Sequence, residues 1–278
     1  MFIEFMKFVP KNLISYWFGV VMHIRLFQPL AKWSILLFAK FFKINCDEAE
    51  KKLEEYNSIG DFFTRRLREG SRPISNNKFV HVADSEITSR GLVFGDQLIQ
   101  AKGLTYSLKE FIKNQIIDSY QGGFFITYYL CPTDYHRVHS PVDGMITEVR
   151  YVPGNLWPVN RASVGGVPNL FCKNERVIVD IQTDKGIITL VFVGATNVGS
   201  ILLNFEPSLK TNHNHKREFK KISYLEPIPI KKGDELGMFS MGSTVILVGT
   251  KDWLSDLNPI IINEEPSLFV KVRGNKYL

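Results

Sequence analysis

Two pairs of histidines stand close enough in the chain to act together: His136 and His139, three apart in DYHRVHSP, and His213 and His215, two apart in NHNHKREF. Either pair could ligate a metal, but no neighbouring cysteine completes a set, and Lys210, Lys216 and Arg217 make the second pair read as a solvated basic loop. The expectation is therefore no metal. His23 and His81 have no such companions and read as structural. A second candidate for chemistry is Gly242-Ser243-Thr244 in FSMGSTVILVG, a serine between a turn and an apolar run. It lacks the G-x-S-x-G elbow of an α/β-hydrolase, since residue 245 is valine. A serine hydroxyl needs an adjacent base to become a nucleophile, so the serine gains weight beside the histidine octapeptide and the Ala-Asp-Ser turn at Asp84.

The chain that must position these residues has 278 of them, 45% hydrophobic and 22% charged, which excludes a disordered or fibrous protein. Three widely spaced cysteines, Cys46, Cys131 and Cys172, contain no C-x-x-C pair and fit a reducing compartment without a disulfide framework. The net charge of +6 is concentrated at the start. Residues 1–43 hold six basic side chains and only Glu4 as an acid, interleaved with Phe5, Phe8, Trp17, Phe27, Trp33 and Phe41. Cations mixed with aromatics suit an anionic membrane surface better than a nucleic acid. A span is not expected. The longest stretch without Lys, Arg, Asp or Glu runs only from Asn12 to Ile24, whereas a spanning helix needs about 20 apolar residues. A signal peptide is also disfavoured, because no small-x-small cleavage site follows LISYWFGVVM. Two or three amphipathic helices, broken near Pro10 and Pro29, are predicted.

Beyond them, Asp47 with Glu50 and Ser58 with Asp61 predict helices near 48–57 and 59–68. After Pro73 the texture becomes β-rich, with runs such as FVHVA, FFITYYLC, MITEVRYV, RVIVDIQT, GIITLVFVG and STVILVG, interrupted by a helix over 107–116. The fold class is α+β, with N-terminal amphipathic helices over 1–45 and a β-rich catalytic domain over 46–278. KKGDELGMF and SPVDGMI look like the two halves of biotinyl/lipoyl-type barrel-sandwich hairpins.

FFTRRLREGSRPI (62–74), VADSEI (82–87), LCPTDYHRVHSPVDGMI (130–146) and KKGDELGMFSMGSTVILV (231–248) together resemble the pyruvoyl-dependent phosphatidylserine decarboxylases of the prokaryotic type. Two positions depart from the family pattern: Ser85, where glycine is common, and Met241, where leucine or phenylalanine is usual. The resemblance implies a proenzyme that cleaves itself between Gly242 and Ser243, giving a 1–242 β chain and a 243–278 α chain. Ser243 would attack the Gly242 carbonyl, with His139 as base and Asp84 orienting it. The new N-terminus would become a covalent pyruvoyl group, the cofactor, forming a Schiff base with phosphatidylserine. His136 would assist decarboxylation as a proton donor, and phosphatidylethanolamine would leave. The implied setting is a peripheral protein on the cytoplasmic side of the cell membrane, its two chains associated and dimerising further. A serine hydrolase with one intact chain, a non-catalytic scaffold, and action on another seryl phospholipid remain alternatives.

Overall fold

A computed structural model describes every residue except Met1, Lys102, Ile116, 198–199, Lys210, 213–216, 241–242, 258–269 and 274–278, and of Ser243 it describes the backbone. Three helices open the chain: α1 (Phe2–Phe8), α2 (Lys11–Met22) and α3 (Gln28–Phe42). The first break falls at Pro10 as predicted. The second lies ahead of Pro29, which sits inside the first turn of α3, where its missing N–H costs nothing. None of the three helices is long and apolar enough to cross a membrane.

α2 is bound to the rest of the molecule through polar contacts. Lys11 Nζ donates to the Met6 carbonyl at 2.6 Å and lies 4.2 Å over the Trp157 ring. Asn12 Nδ2 donates to the Gly154 carbonyl, and Ser15 Oγ accepts the Asn197 N–H. α3 buries Ala31, Ile35 and Ala39, spaced one turn apart, against Tyr56 and Phe62. The opposite surfaces are apolar and uncovered. Of twenty exposed large hydrophobic side chains among the described residues, fourteen lie between Phe5 and Phe41, an uncovered patch larger than solubility alone would favour.

The two helices predicted over 48–57 and 59–68 are mostly absent. Ser58 caps as expected, its Oγ accepting the Asp61 N–H, but α4 (Ile59–Phe63) stops after five residues. The reason is a competing donor. The Arg137 guanidinium takes the Thr64 carbonyl at 2.7 Å and 3.0 Å and also reaches that of Arg65, so acceptors that a continuing helix would use are occupied. Segments 48–50 and 66–68 instead pair as extended chain.

The β-rich part contains β1 (Ser85–Leu92), β2 (Gln97–Ala101), β3 (Leu104–Ser107), β4 (Phe124–Leu130), β5 (Arg137–His139), β6 (Gly144–Val152), β7 (Arg176–Thr183), β8 (Gly186–Val193), β9 (Ile201–Leu203), β10 (Lys220–Ile230), β11 (Glu235–Phe239), β12 (Ser243–Gly249) and β13 (Val270–Val272). α5 (Leu108–Ile112) is the helix predicted over 107–116, capped by Ser107 and shorter than expected. An eight-stranded antiparallel sheet runs β10-β6-β7-β8-β12-β4-β1-β13, and a three-stranded one runs β5-β11-β9. The continuous apolar run VILV explains the place of β12: Val245 to Val248 are wholly buried, with β8 on one side and β4 on the other. FVHVA forms only an isolated bridge, whereas β10, an exposed edge strand carrying Pro227 and Pro229, was not predicted. KKGD makes the turn between β10 and β11. These two strands pair with β6 and β5, so SPVDGMI and KKGDELGMF lie antiparallel to each other.

Candidate active site

Three chain segments converge on the histidine pair. Ser243 begins β12 directly opposite Leu130, the last residue of β4, and the chain then runs from β4 through Asp134 and His136 into β5. The His139 N–H donates to the Val82 carbonyl at 2.8 Å, which lays β5 alongside the segment that carries Asp84. Gly242, His213 and His215 lie outside the described residues.

The His139 ring is partly buried and doubly held. Nδ1 is 2.8 Å from the Gly233 carbonyl, which can only accept, so the proton sits on Nδ1 and leaves Nε2 with its lone pair. Nε2 accepts the Tyr135 hydroxyl at 3.2 Å, and the two rings stack with centroids 5.7 Å apart. Burial pushes the imidazole below its usual pKa, partly offset by the Gly233 contact and by the charges of Glu235 and Asp84. The partners of the ring nitrogens are thus a carbonyl and a phenol, and Asp84 reaches the ring through its field. The carbonyl depends on Gly233 having φ of +87°. There a Cβ would also stand 2.4 Å from Ile74 Cδ1.

Asp84 is buried and gripped by Arg72, whose Nε lies 2.9 Å from Oδ1 and 3.0 Å from Oδ2. Arg72 Nη2 also pairs with Glu48 at 2.8 Å, holding that carboxyl below the ordinary carboxylate range. The cluster thereby ties the end of the helical region to the segment before β1.

His136 differs from its neighbour. Its Nδ1–H donates to the Asp134 carbonyl at 2.8 Å, and Phe63 of α4 lies on the ring with centroids 4.1 Å apart. Nε2 is buried without a hydrogen-bond partner among the described residues. Burial, reinforced by the nearby Arg65 charge, pushes the ring down to about 3. At neutral pH it is an uncharged base with an open lone pair.

Two cavities flank these groups. A polar one of about 340 Å³ is lined by Arg65, Arg72, Asp84, Thr133, Tyr135 and Arg273. An apolar one of about 250 Å³ is bounded by Phe18, Phe38, Phe42, Phe63, Leu130 and Val159, between the first helices and the end of β4. Among the described residues no group of three or more His, Cys, Asp or Glu is placed to hold a metal ion. The sequence reading singled out Asp84, His136 and His139 but missed Arg65, Arg72, Tyr135 and Gly233. All four stand inside or beside the quoted motifs, but Arg72 and Gly233 meet partners distant in the chain, Glu48 and His139.

Comparison with known proteins was informative. The sequence model of the family described as phosphatidylserine decarboxylase matches residues 59–273. The chain is similar to a phosphatidylserine decarboxylase proenzyme of Anaeromyxobacter sp. (strain K), 38% identical over 251 residues that cover 89% of each chain. It is likewise similar to one from Myxococcus xanthus (strain DK1622), at 36% over 89% of this chain and 88% of the relative. A proenzyme from Dickeya dadantii (strain 3937) is 40% identical over 80% of this chain and 76% of its own.

Proposed function

The chain belongs to the phosphatidylserine decarboxylase family, and from that membership we propose that it converts phosphatidylserine to phosphatidylethanolamine after cutting itself between Gly242 and Ser243. The observation that carries this reading is the family match taken together with two uncharged imidazoles on the chain that leaves β4, the strand paired with the one Ser243 begins.

For self-cleavage, Ser243 Oγ attacks the Gly242 carbonyl carbon and its proton passes to His139 Nε2, after the loosely held Tyr135 hydroxyl has turned away. The Gly242–Ser243 C–N bond breaks as the proton moves to the departing nitrogen, giving an ester. Loss of the Ser243 α-proton expels the Gly242 carboxylate and leaves dehydroalanine, which water converts to a pyruvoyl group and ammonia. Asp84 stabilises the transient imidazolium through its charge.

The residues present fit such a group: a serine heads a buried strand, and the unpartnered Nε2 of His136 is free for a proton. When present, the pyruvoyl group supplies an electrophilic carbonyl for the substrate amine and an electron sink for the departing carboxylate. A ring pushed down to about 3 holds no proton at neutral pH, so His136 acts first as acceptor. A proton taken up at Nε2 once substrate fills the site, and not one drawn from the far more basic amine, is the one it delivers to the carbon from which CO2 departs. Phe63 and the Asp134 carbonyl hold the ring for both transfers.

Membrane attachment follows from the first three helices, whose exposed aromatics would enter the interface of an anionic bilayer without spanning it. The cytoplasmic face of the cell membrane is the proposed site, with the apolar cavity behind Phe63 turned toward the lipid. The two chains remain together through the pairing of β12 on both sides, and this unit dimerises further.

Intact-mass measurement tests the reading. Two products are expected, residues 1–242 and residues 243–278, the smaller with a blocked N-terminus and a carbonyl that borohydride or hydroxylamine destroys along with activity. An active enzyme that is one uncut chain overturns the proposal and favours a hydrolase, which fluorophosphonate would label.

A further inference from the structure

Arg65 is 5% exposed, and its Nε and Nη1 are buried with no hydrogen-bond acceptor among the described residues. Its guanidinium lies 5.2 Å over the Phe62 ring. Asp84 and Glu48 act on it through charge, but their carboxylates are the ones paired with Arg72. Arg72 is therefore matched and Arg65 is not. A buried cation without a counter-ion is costly, and an arginine does not shed its proton to relieve that cost. It lines the polar cavity of about 340 Å³, which Lys43, at the end of α3, also lines, and a second of about 260 Å³ beside Asp61 and Arg137. On the inner side the larger cavity is lined by Tyr135, the ring stacked on His139, and Arg65 is close enough to His136 to depress its proton affinity.

We propose that Arg65 anchors the phosphodiester of the substrate headgroup. The identity of the ligand rests on the decarboxylase reading; the need for an anion rests on the geometry. A serine phospholipid offers two anions, and they are not equivalent partners. A guanidinium on the carboxylate would stabilise the charge that must be lost as neutral CO2, and so would oppose the reaction. The phosphodiester keeps its charge from substrate to product. Pairing it with Arg65 binds ground state and transition state alike, which lowers KM and leaves kcat nearly untouched. The fork of guanidinium donors also suits two phosphate oxygens at once.

The test uses the full chain as Arg65→Met, which keeps the apolar stem over Phe62, and as Arg65→Lys, which keeps a charge. Self-cleavage should proceed in both, and Arg65→Met should unfold no earlier than the natural chain, because no ion pair is lost. KM for dispersed phosphatidylserine should rise about tenfold or more in Arg65→Met, with kcat within about threefold and partial recovery in Arg65→Lys. Calorimetry should show glycerophosphoethanolamine binding the natural protein and failing with Arg65→Met, with inorganic phosphate binding more weakly and ethanolamine not at all. An unchanged KM, a fall confined to kcat, or unchanged headgroup binding overturns the inference. So does equal affinity for inorganic phosphate, which would make this a free-phosphate site. Misfolding of Arg65→Met together with a normal KM in Arg65→Lys would make Arg65 a structural cation. A natural chain that binds glycerophosphoethanolamine through Arg65 yet releases no CO2 leaves the anchor standing and overturns the decarboxylase reading instead.

Discussion

Arg72 closes on Asp84 with two nitrogens, Nη2 at 2.5 Å from Oδ2 and Nε at 2.9 Å from Oδ1, in a pair about nine-tenths buried on each side. Removing one partner of such a pair leaves the other charge stranded. Arg72→Gln removes the paired guanidinium from both Asp84 and Glu48, the latter keeping Arg273 at 3.3 Å, and should cost about 3 kcal/mol or more. Asp84→Asn leaves Arg72 with Glu48 and should cost less, while slowing self-cleavage through loss of the field at His139. Urea midpoints and the rate at which the 1–242 product appears separate the two effects; an Asp84→Asn chain that matures at the natural rate removes Asp84 from the maturation scheme.

His139→Ala should remain a single full-length chain, because its Nε2 is the proposed acceptor of the serine proton. His136→Ala should still cleave yet turn over poorly. Tyr135→Phe removes the hydroxyl that occupies His139 Nε2 and should mature at least as fast as the natural chain. Gel analysis of a maturation time course reads all three, and faster cleavage in His139→Ala than in His136→Ala would reverse the assignment.

Two buried imidazoles make stability depend on pH. Burial pushes His136 down to about 3 and His81 down to about 4, whereas in an unfolded chain a histidine titrates near ~6.5. Between those values the unfolded state binds protons that the folded state refuses, so stability falls as pH drops from about 6.5 toward 4 and is level above. The thermal midpoint should follow that course, and His81→Phe should flatten the slope. Identical slopes would show that His81 contributes nothing to it.

Trp17 and Trp33 are 58% and 71% exposed on the helical surface. Their fluorescence should shift to the blue on vesicles containing phosphatidylglycerol, with high salt weakening the partition only in part. Replacing Trp33 and Phe41 by serine should reduce vesicle binding about tenfold or more without disturbing self-cleavage. These substitutions are preferable to deleting residues 1–43, because Lys11, Asn12 and Ser15 join α2 to the catalytic part.

What could be read from the sequence alone follows the range of the physics involved. β4 and β12 were legible because each is an unbroken apolar run, sufficient in itself to demand burial. β10 was not, because two prolines and an exposed face hide its alternation. Pro10 announced a break, whereas Pro29 served as a helix start. The ends of α4 were half legible: Ser58 and Asp61 cap locally, but the stop is made by Arg137, 73 residues beyond Thr64. The site divides in the same way. Asp84, His136 and His139 stand in short motifs of recognisable chemistry. Arg72 matters through Asp84 and Glu48, 12 and 24 residues away, and Gly233 through His139, 94 residues away, while Arg65 is conspicuous for lacking an acceptor among the described residues.

β12 lies inside the large sheet with a neighbour on each side, and just three residues separate its first residue from the end of β11. Before cleavage that tether presents the strand to its slot at a high effective concentration, and folding is a first-order event. Once the bond preceding Ser243 is broken, the same strand belongs to a separate molecule. An unfolded mature enzyme must then recover its centre by collision, at a rate set by dilution, while the exposed VILV run is free to associate elsewhere. On the proposed scheme folding has to precede cutting, and denaturation after cutting would in practice be a one-way loss: the protein would acquire its reactive carbonyl by giving up the ability to refold alone.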